Sequence, residues 1–130
     1  MGTCTRLDYE QFHIRKANID AAFSAVRSCV EDDLAQSRKK AWRAPSCPDP
    51  TAALAAGTLA QQFEVWSWVL RFDDEGNVCG IFFRGEKAGE HDELFQAVGP
   101  FVEKGSSVVM VNETGHRSGW FFNGKECRSY

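Results

Sequence analysis

The chain has no cysteines spaced to hold a metal, no apolar run long enough to cross a membrane and no excess of positive charge. Its five cysteines (Cys4, Cys29, Cys47, Cys79, Cys127) stand 18 or more residues apart, so neither a zinc knuckle nor a CxxC redox pair is formed. The longest apolar stretches fall far short of the ~20 residues that span a bilayer. Fifteen Lys/Arg against 18 Asp/Glu leave a net charge of −3, which argues against nucleic acid, whose phosphates favour a basic face. No nucleophile elbow, HExxH, GxGxxG or Gly-rich phosphate loop occurs. The segment 84–89 (RGEKAG) has two glycines, but it does not open directly into a helix. No catalytic residue, metal or cofactor is assigned on these grounds. Met1 to Lys16 carries charges throughout, so no apolar leader is expected there. With unpaired thiols, the expected compartment is the reducing cytoplasm, away from membranes.

What is present is the composition of a globular protein. The 130 residues are 43% hydrophobic and 25% charged, enough for one domain with a real core. The acidity is uneven. Residues 1–64 hold eight cations against eight carboxylates, and 65–130 hold seven against ten.

The clearest local signal is a hairpin. Val65–Phe72 and Val78–Arg84 are apolar and aromatic runs flanking the turn formers Asp73-Asp74-Glu75-Gly76-Asn77. Before it, Tyr9–Lys16 alternates Phe12 and Ile14 with polar residues, a half-buried strand. Ile19, Ala22, Phe23, Val26 and Val30 recur at helical spacing over 19–34, with Asn18 as candidate N-cap. Residues 36–49 (Arg38, Lys39, Lys40, Trp42, Arg43 and two of the chain's four prolines) read as a surface loop. Asp49-Pro50 then caps an Ala-rich helix to Phe63, weakened at Gly57 by roughly 1 kcal/mol. Asp92 caps a helix that Gly99-Pro100 ends or kinks. Strands follow at 107–111 and 119–122, and Asn123-Gly124 has the form of a two-residue type I′ turn into a last strand.

The order β-α-α-β-β-α-β-β describes a single α+β domain. Its mainly antiparallel sheet of four or five strands carries two or three helices on one face, and its topology is related to the ferredoxin-like order. The hairpin is expected at its centre. Such a superfold carries little functional information by itself.

Trp66 and Trp68 share one strand face, and Trp120-Phe121-Phe122 cannot all point the same way. Two arrangements are open. Either these aromatics pack under the helices, or some stay in solvent and mark a partner surface. On the second, partner contacts are expected from Trp66, Trp68 and Trp120, with polar loops supplying Asp73, Asp74, Glu75, Glu86, His116 and Arg117. The acidic turn would steer a basic protein partner. The aromatic C-terminal strands at a sheet edge invite a homodimer. An alternative is an anionic small molecule or nucleotide held by Arg38, Lys39, Lys40, Trp42 and Arg43. A second is an enzyme built from scattered Cys and His. In type alone, as a small acidic cytoplasmic α+β protein without a catalytic motif, the chain is similar to bacterial immunity proteins and phage inhibitors of host defence. That likeness implies occlusion of a protein partner and carries over no residue.

Overall fold

A computed structural model of the chain describes residues 5–39, 47–85 and 91–129. Strand β1 (Thr5–Gln11) leads into helix α1 (Lys16–Lys39), two short helices α2 (Pro50–Ala55) and α3 (Leu59–Val65), and the hairpin β2 (Trp68–Phe72) and β3 (Val78–Phe83). Helix α4 (His91–Val98), a 3-10 turn (Gly99–Phe101), β4 (Ser107–Asn112), β5 (Arg117–Phe122) and β6 (Cys127–Ser129) complete the fold. It is α+β, as the element order implies.

The strands divide differently from the expectation. β1-β4-β5-β6 form a four-stranded antiparallel sheet, and β2–β3 stand apart as a two-stranded one. The apolar strand β4, not the hairpin, is interior to the main sheet, and β1 pairs only with β4, so a ferredoxin-like interleaving is not formed. The cause lies after Gln11. Phe12 and Ile14 turn wholly into the core, and only Ile14 keeps a ladder contact with the hairpin, through Ile14 N–Val78 O (3.1 Å) and Val78 N–Ile14 O (2.8 Å). A side chain carries the rest of the seam. Glu10 accepts from the Ile81 amide at 3.3 Å and from Arg71 Nη2 at 2.6 Å.

Helix α1 is longer than its apolar period. Ala22, Val26, Val30 and Asp33 are buried at helical spacing, while Ile19 and Phe23 are half-buried. Ser37, Arg38 and Lys39, expected in the loop, continue the helix, where the two cations suit its negative end. Asn18 is not the cap. The helix begins at Lys16, whose amide donates to Asn77 Oδ1 at 2.8 Å. That cap comes from the distant hairpin turn. The Ala-rich helix is two helices. Asp49 caps the first by accepting from Ala52 N (3.1 Å). Thr58 caps the second by accepting from Gln61 N (3.1 Å), and Gln61 Oε1 accepts from Gly57 N (2.7 Å), a variant of the capping box.

α4 stops at Val98 and tightens into the 3-10 turn carrying Pro100. A Cβ on Gly99 would lie 2.7 Å from the Cys127 amide nitrogen, so the glycine lets β6 pack against the helix end. The expected type I′ turn at Asn123-Gly124 is not formed. Only Gly124 has positive φ, and Asn123 Oδ1 instead accepts from the Lys125 and Glu126 amides (2.9 and 2.8 Å). This gives a longer loop.

One cluster forms the core. Phe12 meets Phe63, Phe95 and Phe122 with ring centroids 6.1, 6.0 and 5.5 Å apart, spacings typical of favourable aromatic pairs. Val26, Leu94, Val98, Met110 and Ile81 fill in around them. α1 and α4 pack together on one side, and α3 packs on β2. No described helix is long and apolar enough to cross a membrane.

Candidate functional site

The three tryptophans expected as contacts are core residues, with Trp66, Trp68 and Trp120 only 2%, 0% and 7% exposed. Burial decides their place. Removing an indole from water is worth roughly 4–6 kcal/mol at ~25 cal/mol per Å². Trp66 is not in a strand at all. It ends α3, and Ser67, at φ 69°, turns the chain into β2. Trp68 donates from Nε1 to His91 Nδ1 at 3.3 Å, and Trp120 donates to Asp92 Oδ1 at 2.6 Å. The His91 ring lies edge-on among Trp68, Phe83 and Trp120. Burial pulls its pKa down to about 4, against a smaller opposing pull from Asp92.

Among the described residues, the exposed aromatics are Tyr9, Phe72, Phe82 and Phe121. Strand register explains three of them. On the main sheet, Tyr9 opposes Val109, which opposes Gly119. Ser107 opposes Phe121, which opposes Arg128. Alternation therefore places Tyr9, Val109 and Phe121 on the face opposite the buried Val108, Met110 and Trp120. On the hairpin, Phe82 and Val69 form the row opposite the buried Trp68 and Ile81.

Arginines frame these rings. Asp8, at a β-bulge in β1, pairs with Arg117 (3.1 Å) and Arg6 (4.0 Å), and Arg128 pairs with Glu126 (3.1 Å). His116 and Arg117 are exposed at the start of β5. Arg117 lies opposite Val111 in the ladder, on the same face as Phe121.

At the hairpin tip, Asp73, Asp74 and Glu75 are exposed, but they are not equivalent. Asp73 Oδ1 accepts from the Glu75 and Asn77 amides, both at 2.9 Å, and Oδ2 accepts from Asn77 Nδ2 at 3.1 Å. These bonds, first that from the Asn77 side chain, hold its carboxyl below its ordinary pKa. Asp73 builds the turn. The Asp74 and Glu75 carboxylates make none of these turn bonds. Glu86 lies outside the described residues.

Of the basic loop, Arg38 and Lys39 are exposed at the end of α1, while Lys40, Trp42 and Arg43 lie outside the described residues. A groove of about 600 Å³ between α1 and α4 is lined by Cys29, Asp32, Asp33 and Glu93 among others. Among the described residues, no group of three or more His, Cys, Asp or Glu is placed to hold a metal ion. Burial, aided by Glu93, pushes the Cys29 thiol up to about 12, and burial does the same to Cys127. Cys47 is also raised, chiefly by burial. These thiols stay protonated at neutral pH and are poor nucleophiles.

Sequence reasoning missed Tyr9 and Phe82. The signal for Phe121 was the aromatic triplet, whose middle member must face away from its neighbours. Tyr9 could have been found from the same alternation that buried Phe12. Comparison of the chain with protein-family models, with curated proteins and with solved structures finds no match.

Proposed function

We propose that this chain is a protein-binding module that acts by occluding a partner, in the manner of immunity or anti-defence proteins. The observation that carries the reading is the exposure of Tyr9 and Phe121 on the outer face of the main sheet and of Phe82 on the hairpin, at 52%, 48% and 55%. Tyr and Arg are the side chains that most often concentrate binding energy at interfaces, and aromatic rings supply contact area at low entropy cost. Asp74 and Glu75 at the hairpin tip are the carboxylates free to steer a basic partner. The partner is another protein, and symmetric self-association belongs to the same reading.

The test is co-purification from cells that naturally make the protein, with wild type beside a Tyr9→Ser/Phe121→Ser variant. A stoichiometric protein held by wild type and lost by the variant supports the proposal. Equal recovery by both places the contact elsewhere and overturns it. The small-molecule reading is favoured instead if native mass spectrometry finds a bound metabolite that Arg38→Ser/Lys39→Ser removes.

A further inference from the structure

We infer that the loop between β5 and β6 is a self-modifying site, in which the Gly124 main-chain nitrogen displaces ammonia from the Asn123 side chain and leaves aspartate or isoaspartate there. The inference needs nothing from the binding-module reading. Asn123-Gly124 is the chain's one Asn-Gly pair.

Access is the first argument. Asn123, Gly124, Lys125 and Glu126 are all exposed, between the buried Phe122 and Cys127, so water and hydroxide have access to the site. The attacking nitrogen is also uncommitted. Among the described residues, neither the Gly124 amide nor the Asn123 side-chain nitrogen makes a hydrogen bond. Gly124 has no side chain to block the approach, and its φ of 88° is one that glycine adopts without strain.

Polarisation is the second argument. Asn123 Oδ1 accepts from the Lys125 and Glu126 amides at 2.9 and 2.8 Å. When a nitrogen attacks Cγ, negative charge gathers on that same oxygen, and two amide donors already aimed at it stabilise the charge as in an oxyanion hole. The reacting atoms belong to adjacent residues, so closing the five-membered ring requires no encounter. Asn112 supplies an internal control. Its Oδ1 also accepts from main-chain amides, those of Thr114 and His116 at 3.0 and 2.9 Å, but the residue that follows it is Glu113, whose Cβ crowds the attack.

The chemistry balances with water alone as co-reactant. Hydroxide takes the Gly124 amide proton, the bond from that nitrogen to Asn123 Cγ forms, and the Cγ–Nδ2 bond breaks. The departing nitrogen takes a proton from water and leaves as ammonia. Water then opens the cyclic imide at either carbonyl. One opening gives aspartate with the main chain unchanged. The other gives isoaspartate, whose main chain runs through Cβ and Cγ and is one carbon longer. Either product adds one negative charge to the chain's −3. The longer main chain falls where the loop must return from Phe122 to its ladder partner Cys127.

The experiment is incubation of the full chain in warm, mildly alkaline buffer, with circular dichroism to check that it stays folded. Peptide mapping by mass spectrometry follows each asparagine, and an isoaspartate-specific methyltransferase identifies the rearranged product. Asn123 is expected to convert at least tenfold faster than Asn112, a barrier difference of about 1.4 kcal/mol. Gly124→Ala should slow conversion of Asn123 at least tenfold; should that variant misfold, the comparison with Asn112 in the wild-type chain decides alone. An Asn123 that stays intact, or that converts less than tenfold faster than Asn112, overturns the inference. Conversion that a folded Gly124→Ala variant leaves unslowed overturns it as well, because the attack then does not depend on the glycine.

Discussion

Replacing Gln62 by methionine should stabilise the protein. Gln62 on α3 is 0% exposed, and among the described residues neither its amide nitrogen nor its amide oxygen, nor the indole Nε1 of Trp66 one turn further along, has a hydrogen-bond partner. An amide stripped of water without compensation costs about 1–3 kcal/mol by mutational measures. Methionine keeps the unbranched length and adds no polar atom, and such near-isosteric changes cost less than about 1.5 kcal/mol in repacking. The expected net gain is about 1–2 kcal/mol, which for a chain of this size raises Tm by roughly 4–8 °C. Thermal and urea unfolding measure it, and an unchanged urea m-value ties the gain to the native state. The neighbouring Gln61→Met is the control. It removes the acceptor for Gly57 N and should cost about 0.5–1.5 kcal/mol. If Gln62→Met lowers stability by more than about 1 kcal/mol, the amide is satisfied in solution and the reasoning fails.

Three further outcomes follow from the same kind of argument. His91 has a folded pKa near 4 against 6.5 in its ordinary state, so its contribution is fully present above about pH 6.5 and is lost as pH falls through 4. Stability should decline by up to about 1.4 kcal/mol per pH unit there, and urea titrations of His91→Gln should lack that component; an identical pH slope in the variant refutes it. Gly99→Ala should cost about 1–3 kcal/mol, because its Cβ meets β6 backbone that cannot yield cheaply, whereas Gly57→Ala, whose nearest neighbour is 3.6 Å away, should stay within about 1 kcal/mol; equal melting shifts would count against this. Asp73→Ala should lower stability measurably through the lost turn bonds, and by more than Asp74→Lys or Glu75→Lys, whose side chains make none of those bonds. If all three behave alike in chemical denaturation, Asp73 has no special role in the turn.

Local chemistry explains what the sequence made legible. The Asp73–Asn77 turn, the Asp49-Pro50 helix start and the stop at Gly99-Pro100 all follow from residues adjacent in the chain. The division of the Ala-rich helix was also local, since Thr58 and Gln61 have capping spacing, but the apolar stripe around them masks it. Two features depend on partners far away. Val65–Leu70 is apolar enough for a helix end or a strand, and only the packing of α3 on β2 places Trp66 in the first and Trp68 in the second. The split into two sheets depends on Phe12 and Ile14 leaving the main-sheet ladder for the core, an event no window around them announces. The surface aromatics were obscured by a similar uncertainty. Alternation identifies two rows on a strand, but the helices decide which is covered, and they cover the tryptophans.

The bond from the Lys16 amide to Asn77 bears on how the protein is made. Translation proceeds from the N-terminus at about 5–20 residues per second, and these two residues are separated by 61 positions. The start of the longest helix is therefore in hand for roughly 3–12 seconds before the residue that caps its first turn has been synthesised. The Ile14–Val78 bridge beside it waits just as long. During that interval the nascent helix is frayed at the end joined to β1, and β1 itself waits longer still for β4. The N-terminal third is thus committed late, when the hairpin turn arrives to close its first helical turn.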